Sequence, residues 1–151
     1  MVYADLSPYE YCLPIALPDV LNVGWLDGSS SFSRGVVSPR LLENLTAMLD
    51  AWPAGAGFFD ARFNLVRGGH ACAVCGMSGF HNPYVGACEL LVPDREAGHY
   101  FVAPSLVVHY LSEHAYQPPA GFVDAVMRVD MQRPFDAQAI YDALVATQPP
   151  D

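Results

Sequence analysis

The chain has 151 residues, with 16 acidic and 7 basic side chains, a formal net charge of −9, and 52% hydrophobic against 15% charged residues. That apolar share excludes a disordered acidic tail, and the charge balance leaves no cationic footprint for a nucleic acid. No run of about 18 apolar residues offers a membrane span.

The opening MVYADLSPYEYCLP has acids and prolines where a signal peptide needs a basic start and an apolar stretch. The expectation is a cytoplasmic chain folded as a single domain over 1–151. Pro8, Pro14 and Pro18 make residues 1–19 an extended or irregular N-terminal segment, with Tyr3, Tyr9 and Tyr11 packed over a sheet as an ordered arm. Residues 20–26 and 32–37 flank the turn-rich Asp27-Gly28-Ser29-Ser30, which predicts a β-hairpin. Ser38-Pro39 supplies an N-cap with proline at the first helical position. Leu41, Leu42, Leu45, Met48 and Leu49 then recur at helical spacing, predicting a helix over 39–51 that Pro53, Gly55 and Gly57 stop.

Residues 58–66 read as a strand, with Ala61, Phe63 and Leu65 alternating against Arg62 and Asn64. Residues 87–92 and 99–103 predict a second strand pair around the polar loop 93–98. Helices are expected from Pro104 to about Glu113, after Pro118-Pro119, and after an Asp136 N-cap. The sum is an α+β fold: small antiparallel hairpins or a sheet, with three to four helices concentrated toward the C-terminus.

The sharpest local signal is Gly-Gly-His-Ala-Cys-Ala-Val-Cys-Gly at 68–76. A two-residue gap between Cys72 and Cys75 lets two thiolates reach one ion while backbone N–H groups between them turn toward sulfur. Gly76 then relieves the tight turn. His109 and His114, with four residues between them, fall within the spacing used for zinc. On a regular helix residues five apart point about 140° away from each other, so the helix must loosen near His114. Together Cys72, Cys75, His109 and His114 make a candidate Cys2His2 site for Zn2+, stapling a hairpin to the histidine helix across 33 intervening residues. A second candidate shell uses His70, Cys72, Cys75 and Cys88. The same cysteines also fit a buried thiol pair or a redox pair, although the strand–CxxC–helix order of a thioredoxin-like site is not apparent. Cys12 and Cys88 read as small inert hydrophobes.

Catalysis by such a site is disfavoured. Glu113 stands next to His114, but H-x-x-x-E-H lacks the shared helix face of the H-E-x-x-H and H-x-x-E-H arrangements. Two thiolates also reduce the Lewis acidity of zinc. The expected role is therefore an accessory or protein-interaction domain with a structural zinc, binding a protein rather than a nucleic acid or a membrane. A zinc-dependent hydrolase and a CxxC thiol oxidoreductase are the competing classes.

The patterns G-x-H-x-C-x-x-C-G, at Gly68 to Gly76, and Y-x-x-P-x-x-x-x-H-Y-x-x-x-H-x-Y-x-P-P-x-x-F, at Tyr100 to Phe122, resemble a group of small uncharacterised bacterial proteins. The resemblance implies a metal-binding core with no assigned activity. It covers about a third of the chain and does not extend to residues 1–60.

Overall fold

A computed structural model describes residues 3–10, 13–27, 31–50, 59–65 and 69–147. Its centre is the strand pair expected from the two apolar runs near residue 95. Strand β5 (Glu89–Pro93) runs antiparallel to β6 (Tyr100–Pro104), in register from Glu89↔Pro104 to Pro93↔Tyr100. Both runs are almost continuously apolar because both faces of the sheet are covered. Leu90, Val92, Phe101 and Ala103 face one hydrophobic cluster, while Leu91 and Val102 face another.

In chain order the flanking elements are β1 (Pro8–Tyr9), β2 (Leu17–Asn22), α1 (Pro39–Asp50), β3 (Phe59–Asp60) and β4 (Arg62–Phe63). After β5 and β6 come α2 (Val107–His114), α3 (Ala120–Arg128), β7 (Phe135–Asp136) and α4 (Ala137–Ala146). Five strands form a mixed sheet in the order β1-β2-β6-β5-β4, in which β2 and β6 alone are parallel. β3 and β7 make a separate parallel pair. Helices α1, α2 and α3 bury Leu41, Leu45, Met48, Val107, Leu111, Phe122 and Val126 in the larger cluster. Helix α4 packs Ala137, Ile140, Tyr141 and Leu144 against the opposite face, with Tyr9 and Phe63. The fold is α+β, as the element pattern predicts.

The expected hairpin of 20–26 with 32–37 does not form. Both edges of β2 are already taken, by β1 on one side and β6 on the other, so no edge is left for a third partner. Residues 32–37 instead lie along the segment that leaves α2. Gly35 N–H donates to Ala115 O (3.0 Å), Gln117 N–H donates to Ser33 O (2.8 Å), and Arg34 bridges Tyr116. The turn residues 28–30, together with Tyr11, Cys12, Trp52, Pro53, Gly55, Gly57 and Phe58, fall outside the described residues.

The expected strand over 58–66 is split between two sheets. Phe59 pairs with Phe135 and Arg62 with Leu90. The alternation holds for the buried Ala61 and Phe63 but fails at the next residues. Asn64 has a left-handed backbone (φ 51°), after which Leu65 points outward at 62% exposure. Arg62, expected on the outer face, is buried because Asp60 accepts from its Nε and Nη2 (3.0 and 3.3 Å) and its guanidinium lies over the Tyr84 ring. At the last helix Asp136 caps as expected, its carboxylate accepting from Ala139 N–H at 3.1 Å.

Candidate metal centre

The segment 71–77 folds as a compact turn. Gly76 N–H donates to Cys72 O (2.7 Å) and Cys72 N–H donates to Met77 O (2.9 Å). Gly76 has φ +75°, a conformation in which a β-carbon is strained. The N–H groups of Cys75 and Val74 are directed at the Cys72 sulfur and favour its thiolate. Burial acts more strongly in the other direction and raises the Cys72 thiol above its ordinary value.

The second half of the centre comes from α2. Ala115 is left-handed (φ 52°), and its N–H reaches back five residues to Tyr110 O. Tyr116 N–H donates to the same oxygen at 3.2 Å. An i→i−5 closure is wider than an α-helical turn. It loosens the helix where His114 needs to swing toward His109, as the five-residue spacing requires. The two rings sit 5.0 Å apart at an interplanar angle of 78°. Phe80 packs 5.0 Å from His109 and keeps that ring under cover.

Four side-chain atoms thereby converge. His114 Nε2 lies 3.2 Å from His109 Nε2 and 3.5 Å from Cys72 Sγ, while Cys75 Sγ lies 3.4 Å from His109 Nε2. All four ligand atoms lie within 4.8 Å of one another, an arrangement that could hold a metal ion. Cys72 and His109 are buried, His114 is half-buried and Cys75 is exposed. Burial lowers the His109 pKa, and the neighbouring His114 lowers it further, which favours the neutral imidazole that a metal needs. A cation among these atoms would outweigh burial at the sulfurs and hold them deprotonated.

The residues of the second candidate shell are elsewhere. The Cys88 thiol is directed at Tyr84 O (3.7 Å) and is pushed up to about 11 by burial. His70 is exposed, and its N–H donates to Gly86 O (2.7 Å). Glu113 is also exposed and is not part of the cluster.

The domain of unknown function DUF7919 has a family model that matches residues 1–127. The chain belongs to this family. No curated protein and no solved structure matches it. The DUF7919 match takes in residues 1–60, which the two sequence motifs leave unplaced, and includes all four residues of the cluster. β7 and α4 lie beyond the DUF7919 match.

One polar group at this end of the sheet is not among the residues singled out from sequence. Glu89, at the head of β5, is 5% exposed. Tyr9 Oη donates to its Oε1 and Asn64 Nδ2 donates to its Oε2, both at 2.7 Å. Asn64 is held in turn by Gln138 of α4, whose Oε1 accepts from Asn64 N–H at 2.8 Å. A single acid opening the apolar run 88–92 was the available signal, and periodicity passes over it.

Proposed function

We propose that this chain is a zinc-binding domain whose Cys2His2 centre is structural, and that it acts as an accessory or protein-interaction protein. The observation that carries this reading is the set of mutual distances among the four donor atoms. A tetrahedral ion with zinc–sulfur bonds near 2.3 Å and zinc–nitrogen bonds of 2.0–2.1 Å separates sulfur from nitrogen by about 3.5 Å and the two nitrogens by about 3.3 Å. The observed separations are 3.5, 3.4 and 3.2 Å. Four protein donors fill a tetrahedron, so no position remains for a water nucleophile, and a structural role is favoured over a hydrolytic one.

In this role zinc ties the loop of residues 71–77 to the end of α2, closing a loop of more than thirty residues whose ordering is otherwise entropically costly. Cys72, Cys75 and Cys88 are free thiols, which suits a reducing compartment such as the cytoplasm. The net charge of −9 suits a partner protein with a basic surface.

The deciding measurement is elemental analysis of the purified full chain, paired with X-ray absorption at the zinc edge. About one equivalent of zinc in an S2N2 shell is expected. An intact fold with less than half an equivalent would sink the structural reading. Reversible Cys72–Cys75 oxidation in metal-free, folded protein would move the chain to the thiol oxidoreductases.

A further inference from the structure

A cleft of about 170 Å³ opens beside the metal centre, and Ala71, Ala73 and Tyr110, the chain neighbours of the cluster residues, form one of its walls. Its other sides include Trp25, Asn64, Glu89 and Ser105. A cavity of about 150 Å³ is large enough for a benzene ring, so this one suits a ligand slightly larger than that.

The chemistry of the lining points to the sign of the ligand. Glu89 is buried, and each of its oxygens accepts one hydrogen bond from a neutral donor, Tyr9 or Asn64. A carboxylate has about four acceptor positions, so capacity is left over. Among the described residues no arginine or histidine pairs with it. A buried carboxylate without a counter-charge is costly, and desolvation accordingly raises the Glu89 pKa. A cation entering the cleft would supply the missing charge. Two aromatic residues, Trp25 and Tyr110, also line the cleft, and an aromatic lining suits an organic cation, which the π-surface of an indole or phenol attracts.

The hydrogen bonding around the carboxylate is in place before any ligand arrives. Asn64 adopts its strained left-handed backbone (φ 51°) where its side chain meets Glu89. Ser105 Oγ accepts from Gly86 and Cys88 N–H (2.8 and 3.3 Å), which fixes the base of the cleft. Trp25 Nε1 donates to Val102 O at 3.2 Å and anchors the indole at the rim.

From this arrangement we infer that the cleft between Trp25, Glu89 and Tyr110 binds a small organic cation, an amine or guanidine carried on an apolar body about the size of a benzene ring. Glu89 receives the charged nitrogen and Trp25 covers the apolar part. The inference is independent of the identity of the metal.

Benzylamine and its neutral analogue benzyl alcohol are suitable probes, titrated into the full-length, metal-loaded chain and followed by calorimetry and by the Trp25 indole N–H resonance. Benzylamine is expected to saturate and to bind at least about tenfold more tightly than benzyl alcohol. Glu89→Gln should bring that ratio close to one. Equal binding of the two probes to the unaltered chain, or no saturation by benzylamine, would overturn the inference whether or not Glu89→Gln folds. Zinc content is read separately, so failure here leaves the metal reading standing.

Discussion

Two groups of polar side chains are gathered at one end of the sheet, and they are satisfied in opposite ways. In the cluster of Cys72, Cys75, His109 and His114 the polar atoms face one another, with two imidazole nitrogens 3.2 Å apart. Around Glu89 the acceptor oxygens face donors, the Tyr9 hydroxyl and the Asn64 amide, each at 2.7 Å. The first sets potential metal ligands against one another, an arrangement that a cation would complete. The second pairs each oxygen with one neutral donor but, among the described residues, leaves the carboxylate's charge without a counter-ion. The comparison teaches that burying polar groups does not by itself mark a candidate metal site; ligand atoms that converge on one another do.

The contrast predicts different responses to perturbation. The largest concerns the metal. Chelation of the purified chain should remove stability on the order of 10 kcal/mol, by analogy with structural zinc in small domains. Denaturant unfolding with and without chelator measures this, and an unchanged midpoint would remove the distinction between the two groups.

A smaller effect is expected at the carboxylate. Tyr9→Phe deletes one donor and leaves a buried acceptor half-satisfied, at a cost of about 1–3 kcal/mol with zinc content unchanged. The pH dependence has a definite sign. Burial raises the Glu89 pKa above the ordinary 4.5, so the folded state favours the neutral acid. That contribution is complete below pH 4.5 and is lost as pH rises through the raised value. The stability of the unaltered chain minus that of Glu89→Gln should therefore fall from mildly acidic toward neutral pH. Taking the difference at each pH cancels the loss of metal in acid, which both proteins share. A difference that rises with pH would mean that the carboxylate is paired with a positive charge.

The smallest effect belongs to the turn that carries Cys72 and Cys75. A β-carbon at Gly76 would meet nothing within 4 Å, so Gly76→Ala tests backbone conformation alone. It should cost about 1–2 kcal/mol in the metal-loaded chain. A larger loss accompanied by lower zinc content would show that the turn geometry also sets affinity.

The candidate centre was legible because its information is local. C-x-x-C-G encodes its own turn, and the spacing of His109 and His114 already required a loosened helix end, which the i→i−5 bond at Ala115 supplies. The Glu89 site had no such signature, because its donors come from residues 9 and 64, far away in sequence. Strand pairing was similarly hidden. The run at 20–26 was apolar enough for a hairpin, but hydrophobicity does not say which edge a strand will use. β2 spends both edges on β1 and β6, and that pushes 32–37 against the end of α2.

Composition and spacing alone therefore determined the α+β class, the helix start at Pro39, the Asp136 cap of the last helix, the apolar strand pair around residue 95, and the four residues that form the cluster. These depend on backbone propensities and on periods of two and 3.6, which act over a few residues. The tertiary structure alone decided which strands pair, why Arg62 is inside and Leu65 outside, and where Glu89 finds its donors. Those outcomes follow from edges and faces already occupied by distant segments, a competition that no local window of sequence contains.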